Sequence, residues 1–326
     1  MIISKSPLRI TLAGGGTDLP SYFESFGGRV LSAAIDKFVY IGITKPFDEK
    51  IILKYSQMEK VEKVDDVKHP IFRESLRLYK NEYSPIEITS LADVPAGTGL
   101  GSSGSFTTAL LHALNSFHGI SESTIELAEK ACRVEIDILG EPVGKQDQFI
   151  ASFGGLQILN FESANISNVV PLRLTNKIFS NLENGLQLFY TGNARSASRI
   201  LSDQKEKTLC GNNELIERLH KLKEQSYKVE KLLYSGNLLE YADTLNEHWR
   251  EKRIRSEGMT NPLIDHLYET AIANGAAGAK VVGAGGGGFL MTYSETPEKL
   301  SAAMRKLEVR ELEFKFDLEG TREVSF

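Results

Sequence analysis

The chain has 326 residues, enough for about two domains and for a core that folds without disulfide or metal staples. Hydrophobic residues at 41% and charged residues at 25% exclude a disordered chain. Lysine and arginine number 38 against 43 aspartates and glutamates, and the resulting net charge of −5 excludes the basic surplus of a general nucleic-acid or anionic-membrane binder.

In chain order, residues 2–13 read as a strand that ends in Gly14, Gly15 and Gly16. Residues 38–44 and 51–55 are β-rich runs, and the six residues between them predict a hairpin with a long loop. Residues 86–89 form another short strand and lead into a glycine- and serine-rich stretch, 95–105. Phe106, Leu110, Ala113 and Phe117 recur at helical spacing, with Gly119 as the stop. A second helix is predicted over 124–139, and Glu135 lies on its apolar stripe. Residues 140–148 read as a loop by their glycine and proline.

The pattern loosens near 181–185, which divides the chain into units 1–183 and 184–326. The second unit opens with a strand at 186–191 and continues with helices at 215–234, 238–250 and 262–274. Residues 280–292 read as strand, glycine loop and strand, residues 298–307 as a helix, and residues 311–316 as a final strand. Cys132 and Cys210 belong to no CxxC pair, which points to a reduced, cytoplasmic setting. The first residues lack the pattern of a signal peptide, and no apolar run approaches the roughly 18 residues of a membrane span. Asn165 to Ser167 matches a glycosylation acceptor, which carries no weight without secretion.

Four segments carry chemistry. In the first, Gly97, Gly99, Gly101, Ser102 and Ser103 suit a backbone pressed against an anion at the start of a helix. Gly99 to Gly104 also fits G-x-G-x-x-G, but no second strand ending in an acid follows at the required distance. The lysine of a Walker A loop is missing, and Ser103 followed by Gly104 does not make a nucleophile elbow. An ordinary glycine-rich helix entry is the plain alternative. In the second segment, Arg9 to Asp18 joins a cation, a glycine turn and a carboxylate; Asp18 either accepts sugar hydroxyls or caps a helix beginning at Leu19. In the third, Glu135 and Asp147 are a metal-ligand candidate and a base candidate. The alternatives are an ion pair of Glu135 with Lys130 or Arg133, and a solvated loop for Asp147. In the fourth, Gly283 to Gly288 lies between strand-like flanks, where close backbone packing is favoured over a linker.

Together these segments resemble the GHMP kinases, the family of galactokinase, homoserine kinase and mevalonate kinase. Pro95 to Ser105 is similar to the family's P-x-x-x-G-L-G-S-S loop, Arg9 to Asp18 to its N-terminal motif, and Lys280 to Phe289 to its C-terminal glycine motif. The resemblance implies an α+β, two-domain fold, with an N-terminal domain like the second domain of ribosomal protein S5 and a ferredoxin-like C-terminal domain. It implies ATP on Pro95, Gly97, Gly99, Leu100, Gly101, Ser102, Ser103 and Gly104, and Mg2+ on Ser103 and Glu135. By the same resemblance Asp147 takes the acceptor's proton, and Arg9 offsets charge on the transferred phosphoryl group. Asp18, Gly15, Gly16, Thr17, Gly285 and Gly286 are implied on the sugar.

Residues 12–18, 144–148, 247–253 and 261–265 are most similar to the branch that phosphorylates C1 of D-glycero-D-manno-heptose 7-phosphate. Fucokinase-type members share the start of the N-terminal motif. Gly14 to Asp18 differs from the E-H-T-D of galactokinase-like members, so galactose is not expected. A heptose 7-phosphate needs a site for its distal phosphate, for which Lys145, Arg195, Arg199, Arg253 and Arg255 are the basic candidates. The partner implied is a small-molecule sugar phosphate, with neither nucleic acid nor membrane, and a homodimer is left open. A non-catalytic sensor on the same fold is disfavoured, because Arg9, Ser103, Glu135 and Asp147 are all present.

Overall fold

The computed structural model describes residues 1–79, 85–162, 167–192, 197–253, 260–283 and 285–325. The first lobe contains β1 (Ile2–Ala13), α1 (Pro20–Phe26), β2 (Gly28–Thr44), β3 (Ile51–Lys54), β4 (Met58–Val61), α2 (Pro70–Leu78) and β5 (Ile86–Ala92). It continues with α3 (Ser102–His118), α4 (Thr124–Cys132), α5 (Gln146–Phe153), β6 (Leu156–Phe161), β7 (Ser167–Pro171) and α6 (Asn176–Gly185). The second lobe contains β8 (Leu186–Tyr190), α7 (Ala197–Leu209), α8 (Asn213–Ser235), α9 (Leu238–Arg253) and α10 (Pro262–Ala273). It ends with β9 (Gly278–Val281), β10 (Phe289–Tyr293) and α11 (Pro297–Lys306), after which β11 (Arg322–Glu323) returns to the first lobe.

Local chemistry explains most of the helix boundaries. Ser123 and Glu126 form a reciprocal capping box at the start of α4. Asn212 and Asn261 cap α8 and α10, and Pro262 supplies the preset first turn of α10. Gly119 ends α3 in a left-handed conformation, as its position after the apolar stripe predicts.

The large sheet has eight strands among the described residues, in the order β11-β1-β2-β5-β3-β4, with β6 and β7 branching from β2. β2 runs 17 residues, far beyond the expected 38–44. Residues 31–35 and 38–43 pair with β1, while its other edge divides: residues 28–33 pair with β6 and 39–44 with β5. The expected hairpin of 38–44 with 51–55 therefore does not form. Instead β3 pairs in parallel with β5 and antiparallel with β4, because β5 takes the edge of β2 that a hairpin would need. The smaller sheet is antiparallel, in the order β8-β10-β9.

Three further expectations change. The helix expected over 124–139 is α-helical only to Cys132 and continues as a π-helical turn, Arg133–Ile138, that carries Glu135. The expected loop 140–148 ends early, and Asp147 and Gln148 lie in the first turn of α5. Residues 311–316 make only single bridges, Phe189 with Glu311 and Ile35 with Phe316. Residues 317–325 leave the second lobe. Arg322 pairs with Asp317 at 2.7 Å, and Ser6 meets Thr321 at 2.6 Å, so the tail closes the free edge of β1. Asn165 lies outside the described residues. No helix among the described residues is long and apolar enough to cross a membrane.

One core runs through both lobes, joining Leu8, Leu12 and Leu31 to Tyr241, Leu245 and Met291. A second, around Trp249, Phe189 and Leu267, holds the helices of the second lobe to its sheet. Asn246 fixes the outer strand of that sheet to α9: its amide donates to the Ala277 carbonyl at 2.9 Å and accepts from the Ala279 N–H at 3.0 Å and from Tyr268 Oη at 2.9 Å. Asn246→Ala leaves these partly buried groups without partners and should lower unfolding free energy by about 2–3 kcal/mol in urea titration. Asn246→Asp, which keeps the acceptor, should lose less.

Candidate active site

Arg9 and Thr11 project from the same face of β1, two residues apart. The Arg9 side chain is 8% exposed, and its Nε donates to Asp147 Oδ1 at 2.7 Å. Its Nη1 donates to the Gly99 carbonyl at 2.5 Å, and its backbone N–H donates to the Leu100 carbonyl at 2.9 Å. One residue thus ties β1 to the glycine loop and to α5.

The glycine loop enters α3 through Gly101, whose φ of +78° no side chain adopts cheaply. A Cβ there would also meet Arg9 and Asp147, and one on Gly104 would come within 2.7 Å of Asp147 Cβ. These glycines therefore let the helix start lie directly against the Arg9–Asp147 pair. No side chain caps the first turn of α3, so its N–H groups remain available to an anion. Ser103 is exposed and Ser102 half-buried at this helix start, Pro95 and Gly97 are exposed, and the Leu100 side chain is fully buried in the core.

Glu135 is 1% exposed, and its carboxylate accepts from Ser103 Oγ and from Gln148 Nε2 at 2.9 Å. Lys130, one of its possible ion-pair partners, pairs with Glu122 instead. Burial raises the Glu135 pKa, and the charge of Asp147 adds to it, while the bonds from Ser103, Gln148 and Thr107 pull it down. A buried carboxylate beside a serine hydroxyl at an anion-binding helix start suits Mg2+, which takes one or two carboxylates and completes its shell with phosphate oxygens and water. No cluster of three or more histidine, cysteine, aspartate or glutamate ligands occurs among the described residues, so a closed all-protein metal cage is not formed there.

A cavity of about 120 Å³ adjoins the Arg9–Asp147 pair. Thr11, Gly15, Gly16, Asp18, Gly144 and Gln146 line one side, and His248, Lys252, Lys280 and Gly283 line the other. Asp18 does not cap α1, whose cap position is Leu19. Its carboxylate instead accepts from the Gly16 N–H at 3.0 Å and from the Gln146 N–H, at the start of α5, at 3.2 Å. Burial and then the Asp147 charge raise its pKa.

Other expected residues lie elsewhere. The Thr17 hydroxyl is fully buried between the Gly14 and Arg29 backbones and does not line the cavity, because it closes the turn that carries Asp18. Gly285 and Gly286 are also absent from the lining. Their loop stacks on the other glycine loop, and a Cβ on Gly283 would fall 2.6 Å from Gly99 Cα. Lys145 is buried against Glu129 at 2.9 Å and Arg253 pairs with Asp265 at 3.0 Å, so neither lines the cavity. Arg195 and Arg255 lie outside the described residues, as does the Arg199 side chain. Gln146, His248, Lys252 and Lys280 are cavity residues that motif reading misses. For Lys280 a signal existed, since a lysine between Ala279 and Val281 interrupts an apolar strand.

Comparison with known proteins shows the family of the chain. Residues 70–155 match the family model "GHMP kinases N terminal domain", and residues 229–310 match "GHMP kinases C terminal". A D-glycero-alpha-D-manno-heptose 7-phosphate kinase of Campylobacter jejuni is 31% identical over 98% of both chains. An L-fucokinase/L-fucose-1-P guanylyltransferase of Bacteroides fragilis is 24% identical over 91% of this chain and 35% of its own length. A crystal structure of a D-glycero-D-manno-heptose 1-phosphate kinase from Bacteriodes thetaiotaomicron superposes with a TM-score of 0.82 at 26% identity, covering 100% of this chain and 99% of its own. With both family domains matched and a full-length relative above 30% identity, the chain belongs to the GHMP kinases and is an ATP-dependent sugar kinase of that family.

Proposed function

We propose that this kinase transfers the γ-phosphoryl group of ATP to the anomeric C1 hydroxyl of D-glycero-D-manno-heptose 7-phosphate. The products are ADP and the 1,7-bisphosphate, a step toward nucleotide-activated heptose for surface polysaccharide, and we place it in the cytoplasm. The observation that carries the reading is the Arg9 guanidinium, which joins Asp147 beside the cavity to the Gly99 carbonyl of the glycine loop. The similarity to a heptose 7-phosphate kinase along nearly the whole chain supports the choice of sugar.

In this reading Pro95, Gly97 and the run from Gly99 to Gly104 hold the ATP phosphates on the open N–H groups of α3. Ser103 and Glu135 hold Mg2+, which when bound neutralises charge on the phosphoryl oxygens. Asp18 and the backbone of Gly15 and Gly16 hold the sugar in the cavity. Asp147 orients the C1 hydroxyl and receives its proton, while Arg9 offsets charge on the group in transfer. Units 1–183 and 184–326 supply the nucleotide side and the closing side, respectively. Phosphorylation of a free sugar such as fucose is the second reading, favoured by the similarity to an L-fucokinase.

ADP release with MgATP should be fast with the heptose 7-phosphate and slow with fucose, galactose, mannose, homoserine and mevalonate. Release with fucose alone overturns the choice of sugar, and release with none overturns the acceptor class. Asp147→Asn should lower kcat by about 10²–10⁴ while MgATP binding, measured by calorimetry, is retained. Turnover equal to wild type removes Asp147 from the role given to it. Glu135→Gln should raise the Mg2+ concentration for half-maximal rate about tenfold or more. Its unfolding temperature should be unchanged or higher, because the neutral amide relieves a buried charge.

A further inference from the structure

Lys280 lies within β9, where Ala279 and Val281 face the core around Trp249. Its side chain points the opposite way, toward β1, and the residue is 3% exposed. The ammonium donates to the Leu12 carbonyl at 3.1 Å, which is its one hydrogen bond among the described residues. No carboxylate of the described residues pairs with it. An ammonium has three protons to give, and burying it without a counter-charge is costly.

The surroundings sharpen the point. Lys280 lines the cavity together with Arg9 from β1, Asp18 from the glycine turn, Asp147 from α5, and His248 and Lys252 from α9. The two carboxylates are already engaged, Asp147 by Arg9 and Asp18 by two backbone N–H groups. Lys252 donates to the carbonyls of Val281 and Gly283. Lys280 is therefore left without a carboxylate among the described residues, and the missing counter-charge is one that a reactant brings. A tie between the lobes alone would be served by any neutral donor to Leu12.

We propose that the Lys280 ammonium is a second cationic contact, beside Arg9, for a phosphoryl oxygen of a bound reactant. The inference rests on the kinase reading of this cavity. The phosphoryl group belongs either to the donor, as the group in transfer, or to the acceptor, as the phosphate it already carries. Burial, with the Arg9 charge adding to it, lowers the Lys280 pKa to about 7. An anion settling beside it raises that pKa again, so binding at pH 8 takes up protons. A phosphate monoester is already fully ionised at that pH and takes up none itself.

The test compares wild type with Lys280→Gln, which keeps a donor for Leu12 and loses the charge, and Lys280→Arg, which keeps the charge. Binding of the non-hydrolysable MgATP analogue MgAMPPNP, of the sugar phosphate and of the same sugar without phosphate is measured by calorimetry, alongside kcat and KM. Lys280→Gln should weaken the contacting ligand about ten- to hundredfold, and Lys280→Arg should recover most of that loss. A loss for the sugar phosphate but not for the free sugar assigns the contact to the acceptor's phosphate. A loss confined to MgAMPPNP and kcat assigns it to the transferred group. Wild-type values for Lys280→Gln in every arm overturn the proposal.

If Lys280→Gln does not fold, wild type decides, with phosphate-ligand binding at pH 8 measured in two buffers of different ionisation enthalpy. Proton uptake that persists in His248→Gln supports the contact, and absence of uptake in wild type overturns it. Wild-type enzyme that turns over no acceptor fails the kinase reading instead, and the MgAMPPNP arm then decides the Lys280 contact by itself.

Discussion

The buried guanidinium of Arg9 is the constraint on which the site depends. It bonds to a carboxylate of α5 and to a carbonyl of the glycine loop, while the Arg9 backbone bonds to the next residue of that loop. Removing one partner of a buried ion pair costs about 3–5 kcal/mol, and the 28% exposure of the Asp147 side chain puts this pair at the lower end. The pair therefore does two things. It fixes the start of α3 against the start of α5, and it sets a cation and a carboxylate at the edge of one cavity. Gly101 and Gly104 belong to the same device, because any side chain there would push the helix off the pair.

Around this contact the charges fall into two groups with different roles. Glu135 lies on the α3 side, buried and bonded to neutral donors, where a divalent cation fits the donor set. The cavity on the other side brings Arg9, Lys252 and Lys280 together with Asp18 and Asp147. Phosphoryl transfer requires such a division, since the reaction is governed by positioning and by neutralising charge more than by covalent chemistry. The π-helical turn at Arg133–Ile138 has a place in this scheme: it interrupts the regular helix where Glu135 must reach Ser103.

The two lobes are joined through the site as well as through the core. The second glycine loop packs backbone against backbone on the first, and Lys280 spans from β9 to a β1 carbonyl. The tail returns from the second lobe to cover the free edge of β1, the strand that carries Arg9. An exposed edge there would leave that strand unpaired and open to foreign pairing. Residues 317–325 thus support the strand that carries Arg9 and are not among the described residues lining the cavity.

What the sequence alone determined was what neighbouring residues decide. The glycine loop at the start of α3 and the helix stop at Gly119 rest on chemistry within a few positions, and the strip of residues carrying Arg9 and Asp18 could be read the same way. The family resemblance rested on those same local motifs. Tertiary structure alone decided which of those residues meet. Arg9 and Asp147 are 138 positions apart, and Lys280 and Leu12 are 268 apart, so no local pattern encodes either contact. The same holds for the residues that moved: Thr17 reads as a sugar contact beside Asp18, yet the backbone of Arg29 claims its hydroxyl. Likewise β2 could not keep the hairpin its spacing suggested, because β5, whose residues 87–92 pair with 39–44, arrives from beyond β3 and β4 to take that edge. Local sequence sets which groups are present and how each short element begins and ends. Which buried groups share a cavity, and hence where charge goes uncompensated, is fixed only when distant strands and helices pack together.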